Sequence, residues 1–173
     1  MKKQPKTETN PTRTVTVLSV SPLAEDHSSL QAIFNHSKCE LYRADCLASA
    51  QAVMSRREIG VVICECNLSP GTWVDMLEAA RLSPKSPSLI VTSRLADDRL
   101  WAEALNLGAY DVLAKPFEHR ELVRSVNLAW LHWYHQHEVH NREVNAMQVA
   151  SRQRAVAQLN RNRLGVAAVF DAH

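Results

Sequence analysis

The sequence predicts an α/β fold: a five-stranded parallel sheet, doubly wound, in the order 2-1-3-4-5, with helices on both faces. Three observations predict it. Short β-rich runs alternate with stretches of helical periodicity between Thr14 and Trp133, and such alternation implies right-handed crossovers between parallel strands. The run Val61-Val62-Ile63-Cys64 is apolar without alternation, which suits a central strand covered on both faces. An acid, Glu65, stands where that run stops, and the turn residues Asn67, Ser69, Pro70 and Gly71 follow. In open α/β sheets ligands gather just beyond the carboxyl ends of the strands.

The elements follow in order. Thr14 to Val20 is β-rich and reads as the first strand, ending at Ser21-Pro22. Leu23, Leu30, Ile33 and Phe34 fall on one helical stripe, with Glu25 and Asp26 in the favourable first turn. Glu40 to Ala44 is a short second strand, and Asp45 is placed to cap the helix carrying Leu47, Ala50, Val53 and Met54. Gly60 punctuates before the central strand. Trp73, Met76, Leu77 and Ala80 mark a third helix, stopped by Ser83-Pro84 and Pro87. Leu89 to Thr92 is the fourth strand. Asp97 or Asp98 starts the fourth helix, with Leu100, Trp101, Ala104 and Leu105 expected on its inner face and Gly108 as its stop. Val112 to Ala114 is the fifth strand, followed by Lys115-Pro116-Phe117 and a helix through Leu122, Val126, Ala129, Trp130 and Trp133.

Composition narrows the function. The chain has 173 residues, 46% hydrophobic and 22% charged, with a formal net charge of +2: room for one domain plus appendages, and too little charge to imply nucleic acid or membrane. No apolar run reaches the length of a membrane span, and the amino terminus lacks the apolar core of a signal peptide. A cytoplasmic location is expected. Residues 1–13 carry Lys2, Lys3, Lys6 and Arg13 against Glu8 and read as a disordered basic arm. Cys39, Cys46, Cys64 and Cys66 show neither zinc nor CxxC spacing and read as buried thiols. Ser21-Pro22-Leu23-Ala24 contains no glycine, which argues against a dinucleotide or nucleoside-triphosphate loop.

The run Gly108-Ala109-Tyr110-Asp111-Val112-Leu113-Ala114-Lys115-Pro116-Phe117 closely resembles the end of a response-regulator receiver domain, the phosphorylatable module of two-component signalling. The resemblance holds in register from Arg13 to Trp133, including Leu68-Ser69-Pro70-Gly71, and implies the flavodoxin-like sheet order. In that family a strand-3 aspartate accepts a phosphoryl group and two acids after strand 1 hold Mg²⁺. A Ser or Thr after strand 4 and a Lys after strand 5 contact the phosphoryl oxygens, and an aromatic on strand 5 reports the switch. Position by position, the acceptor falls on Glu65 and the acidic pair on Ser21 and Pro22. The hydroxyl is Thr92 or Ser93, the lysine is Lys115 followed by a cis Pro116, and the aromatic position is Val112. Glu25 and Asp26 lie a turn beyond the acidic pair and are expected to face away.

These departures set the expected function. Without its two acids the site loses most of its Mg²⁺ ligands, and Glu65 reaches about 1.5 Å further than an aspartate, one C–C bond. A misplacement of that order costs roughly 100-fold. The resemblance then implies an atypical receiver that works through protein partners without Mg²⁺-dependent aspartyl phosphorylation. Catalytic residues, metal and cofactor are expected to be absent, and Trp101 and Val112 are expected to mark the interaction face. Glu65 and Lys115 either imitate a phosphorylated acid or form a structural ion pair without signalling content. A phosphate-accepting regulator and, lower, a nucleic-acid binder using the basic tails are the alternatives. Homo-oligomerisation stays open, and nothing points to a membrane.

Beyond Trp133 the last helix has no obvious stop. A receiver-like domain over 14–134 is therefore expected to be followed by a helical or disordered extension over 135–173. His132, His135, His137 and His140 have spacings that a metal could use, but no second helix completes a shell. Val149, Val156, Leu159 and Val166 fit a heptad only weakly, with Arg152 and Arg163 intruding. A partner-induced helix, a loose coiled coil and disorder remain open for this segment.

Overall fold

The computed structural model describes residues 14–170, so the basic arm over 1–13 lies outside the described residues. Five strands, β1 (Val15–Val20), β2 (Cys39–Ala44), β3 (Val61–Glu65), β4 (Ser88–Ser93) and β5 (Asp111–Ala114), form one parallel sheet in the order β2-β1-β3-β4-β5. Between them run α1 (Ala24–Phe34), α2 (Leu47–Arg56), α3 (Trp73–Leu82) and α4 (Asp98–Leu107), and α5 spans His119–Phe170. The expected order holds, and the strand bounds move by no more than a residue.

The sheet buries two apolar layers because strand side chains alternate faces. Val62 and Cys64 of β3 join Leu18, Val20, Val91 and Val112 against Met54, Met76 and Ala104 of α2, α3 and α4. Val61 and Ile63 join Val17, Ile90 and Leu113 against Leu30 and Phe34 of α1 and Leu122 and Val126 of α5. The unbroken apolar run of β3 is needed because both its faces are covered. Burying each such side chain contributes roughly 1.5–3 kcal/mol.

Local chemistry sets the helix ends. Asp97 accepts from the Leu100 amide and starts α4, and Gly108 closes it in the left-handed region at φ 97°. Asp75 accepts from both the amide and the hydroxyl of Thr72 at the start of α3. Helix α2 differs from expectation. Its N-cap is Cys46, whose amide donates to Ser49 Oγ, while the Asp45 side chain stays 88% exposed, one residue too early to cap.

Helix α4 also differs. Only Ala104 of its expected inner face is fully buried; Leu100 and Leu105 are half-buried and Trp101 is exposed. A single small residue at the contact lets the helix lie close while its larger neighbours ride over the rim. Gly60, before β3, lies against two indoles: a Cβ there would stand 2.7 Å from Trp130 Cδ1 and 3.0 Å from Trp133 Cε3. Trp133 Nε1 donates to the Lys85 carbonyl at 2.6 Å, tying the first turns of α5 to the sheet's amino edge.

The chain divides after Trp133 into two units. In the second, Tyr134 donates to Glu138, which also pairs with Arg142 one turn on. Val139, Met147, Val149 and Val156 are exposed. The side chains of His140, Leu159, Arg161, Arg163 and Val166 lie outside the described residues. Among the described residues no group of three or more His, Cys, Asp or Glu side chains could hold a metal, and no helix is long and apolar enough to cross a membrane.

Candidate functional site

Side-chain parity builds the site. On β1, β3 and β5 the residues Val17, Ile63 and Leu113 face α1 and α5, so Ser21, Glu65 and Lys115, each an even number of positions further on, carry that face out to the carboxyl edge. Glu65 and Lys115 meet there, and Ser21 joins them through Asp26. The Lys115 ammonium donates to Glu65 Oε2 and, on its other side, to Asp26 Oδ2. The three side chains are only 6–9% exposed.

Asp26 corrects the sequence reading. It was expected to face away, yet it is buried and points into the site. The signal was present in the helix period: Asp26 precedes Leu30 by four residues and Phe34 by eight, so it belongs to the apolar stripe that packs on the sheet. The stripe's first turn lies at the carboxyl edge, where a carboxylate finds a cation. Glu25 does face outward, pairing with Arg94 from the β4–α4 loop. Both partners are largely exposed, and such a surface pair is worth little.

The remaining atoms are satisfied. Ser21 donates to Asp26 Oδ2 at 2.5 Å, and its oxygen accepts from the Leu23 amide at 3.1 Å. Glu65 Oε1 accepts from the Asn67 amide and the Cys66 thiol, each at 3.3 Å. Below them, buried His27 donates from Nε2 to the Ser21 carbonyl at 3.0 Å, and its Nδ1 is hydrogen-bonded with the Ser19 hydroxyl at 2.8 Å. No buried side-chain nitrogen or oxygen is left without a partner among the described residues. His27 was missed in the sequence, where a single histidine at the start of a helix carries no spacing signal.

The hydroxyl position separates into two roles. Thr92 is buried and donates to the Cys64 carbonyl at 3.3 Å. Ser93 lines a cleft of about 360 Å³ together with Pro22, Glu65, Arg94 and Lys115, and accepts from the Leu95 amide. Lys115–Pro116 is cis as expected, and so is Ser69–Pro70. Val112 does not belong to a surface. It is 4% exposed inside the α2–α4 core, and only its carbonyl faces Trp101, whose Nε1 donates to it at 3.3 Å. An aliphatic side chain in mid-strand packs inward, so of the two residues expected on an interaction face only Trp101, 47% exposed, is available.

The thiols divide by environment. Burial pushes Cys39 up to about 12 and raises Cys64 further. Burial also raises Cys66, beside the Glu65 carboxylate. Cys46 is lowered, chiefly by the Ser49 hydroxyl and amide at the start of α2. Only Cys64 is fully buried, so the uniform reading of four buried thiols does not hold.

The residues at this edge do not fit Mg²⁺. Ser21 offers a hydroxyl already committed to Asp26, Pro22 offers no ligand, and both nearby carboxylates are held by one ammonium.

Comparison with known proteins agrees with the fold. Among solved structures the chain is similar to the signal receiver domain of an HD domain-containing protein from Pseudomonas fluorescens Pf-5, at 24% identity and a TM-score of 0.64, covering 70% of this chain and 98% of that one. It is similar to the chemotaxis response regulator CheY4 of Vibrio cholerae at 18% identity and TM-score 0.61, covering 68% and 99%. It is also similar to the Francisella response regulator 1452 receiver domain at 20% identity and TM-score 0.61, covering 68% and 97%. At such identities the likeness shows the fold. No curated protein matches the chain. The sequence itself matches the response regulator receiver domain family over residues 23–127, more than half its length, and with that match the chain belongs to the receiver-domain family of two-component signalling.

Proposed function

We propose that this receiver is an atypical one, working through contacts with signalling proteins and without Mg²⁺-dependent phosphorylation of its strand-3 acid. One observation carries the reading: Glu65, at the acceptor position, is already bonded to Lys115, which is in turn bonded to Asp26. An incoming phosphoryl group needs a free carboxylate oxygen and a cation not yet neutralised. Here Oε2 is spent on the lysine, Oε1 on Asn67 and Cys66, and the lysine on two carboxylates. The pocket is a degenerate acceptor site, formed by Glu65, Ser21, Pro22, Thr92, Ser93 and Lys115, in which Glu65, Lys115, Asp26 and Ser21 are bonded in sequence. The receiver part runs over residues 14–134, and residues 135–173 are an extension of it.

The experiment is incubation with a small phosphodonor and Mg²⁺, read by intact mass. The expected result is no phosphoryl adduct. An adduct that disappears in Glu65→Ala would overturn the reading.

A further inference from the structure

We propose that His27 is an acid-sensitive latch on the first turn of α1. Its neutral ring holds that turn against β1, and on protonation the ring leaves its seat for the Asp45 carboxylate. The inference goes beyond the proposed function and does not rest on it, since it involves neither phosphate nor a metal ion. It concerns the same edge, because His27 follows Asp26, whose carboxylate holds Lys115.

The seat fits one protonation state. His27 is 5% exposed and lies between Ser19 and Ser21, at 1% and 2%. Its Nε2 faces the Ser21 carbonyl oxygen at 3.0 Å and its Nδ1 faces Ser19 Oγ at 2.8 Å. A carbonyl only accepts, so Nε2 carries a hydrogen. In the neutral ring Nδ1 is then an acceptor, and the Ser19 hydroxyl donates to it. An imidazolium carries a hydrogen on both nitrogens. Ser19 Oγ must then accept, and its own hydrogen loses this partner inside the protein. Stranding a buried donor costs more than a typical hydrogen bond contributes. The positive amino-terminal end of α1, where His27 is the fourth residue, also disfavours a charged ring.

The surrounding charges direct the ring outwards. Asp26 is committed to Ser21 and Lys115, and Lys115 also to Glu65. Glu25 is paired with Arg94, and Arg43 of β2 donates to Gln31. That leaves Asp45, between β2 and α2, with Oδ1 3.5 Å from His27 Nε2 and its side chain 88% exposed. A protonated ring that turns to Asp45 exchanges a dry seat for a solvated ion pair. Its departure unpins the turn in which the Leu23 amide donates to Ser21 Oγ and the Asp26 amide to the Leu23 carbonyl, each at 3.1 Å. Histidine is the side chain whose charge ordinarily changes between about pH 5 and 8.

The test is hydrogen exchange of the full chain, read amide by amide by NMR at about pH 7.5 and about pH 5.5 and corrected for the intrinsic pH dependence of exchange. Protection of the Leu23 and Asp26 amides is expected to fall roughly tenfold at the lower pH. The Met76 amide, bonded to the Thr72 carbonyl at the start of α3, should keep its protection. In His27→Gln, which keeps a donor and has no titrating ring, protection of the α1 turn should be equal at the two pH values. In Asp45→Asn, a change at an exposed side chain, the fall should shrink to about threefold, because the ring loses the charge it turns towards. Equal protection of the wild-type turn at both pH values overturns the inference. So does a fall that persists undiminished in His27→Gln or Asp45→Asn, or one that Met76 shares. If His27→Gln does not fold, Asp45→Asn decides alone. A phosphoryl adduct in the mass measurement would overturn the proposed function and leave the latch standing.

Discussion

The Asp26 carboxylate and the Lys115 ammonium, 89 residues apart in the chain, meet across the carboxyl edge of the sheet and bury each other. The contact turns an acid–lysine pair at the end of β3 into a three-member network, and it makes the energetics of the edge collective. In a buried ion pair the attraction roughly offsets the cost of leaving water, while the loss of one partner strands the other. Every prediction about this edge therefore concerns coupling.

Glu65→Gln, Asp26→Asn and Lys115→Met should each destabilise the fold. Lys115→Met should cost most, roughly 3–5 kcal/mol, because it strands two carboxylates side by side. Combined with Lys115→Met, either carboxylate change should be non-additive by roughly 0.5–3 kcal/mol in urea unfolding. Additive effects would mean that the three groups do not interact in solution.

Val112 and Trp101 should separate cleanly. Val112→Ala removes a buried side chain and should cost about 2 kcal/mol of stability. Trp101→Ala, at a residue 47% exposed, should change stability by under about 1 kcal/mol, the worth of its hydrogen bond to Val112. It should weaken the binding of a partner that uses this face. Denaturation midpoints for the two variants check the first contrast, and reversal of their order would contradict the packing described for α4 and β5.

Gly60→Ala tests the attachment of α5. The added carbon would press on Trp130 and Trp133, and overpacking of this kind costs about 1–3 kcal/mol. Tryptophan fluorescence should shift with the loss of stability, since both indoles must move. An unchanged spectrum and midpoint would show that this contact is loose.

Alkylation should order the cysteines. Cys46, lowered from the ordinary thiol value, should react first and at the lowest pH, while Cys39 and Cys64 should resist until the chain unfolds. The stability sign is opposite for the two kinds. Cys39, raised from 9.0 to about 12 in the fold, favours folding fully below pH 9, and that contribution is lost as pH rises from about 9 to about 12. Cys46, lowered in the fold, contributes above the ordinary thiol value and loses that contribution as pH falls through its own. Cys39→Val should therefore raise the alkaline unfolding midpoint. Peptide mass mapping after timed iodoacetamide treatment checks the order, and a first label on Cys39 would refute it.

The resemblance to the receiver family carried the placing of Ser21, Glu65 and Lys115 at one edge, whereas the sequence by itself determined the strand order, the start of α4 at Asp97 or Asp98 and its close at Gly108. Those features rest on local periods of two and 3.6 residues and on turn chemistry, which a linear reading can count. Even Asp26 was legible in principle, on the same stripe as Leu30 and Phe34, although adjacency to Glu25 made the two acids look alike. Only the tertiary structure decided which acid turns inward, because the outcome depends on Lys115 arriving from β5 to neutralise it. It also decided that Val112 is core and Trp101 rim, since that depends on how closely Ala104 lets α4 approach the sheet. The division of labour between Thr92 and Ser93 was decided there too. Adjacent strand residues face opposite ways, and which of the two meets the Cys64 carbonyl is fixed by the pairing of β3 with β4, which no single segment contains.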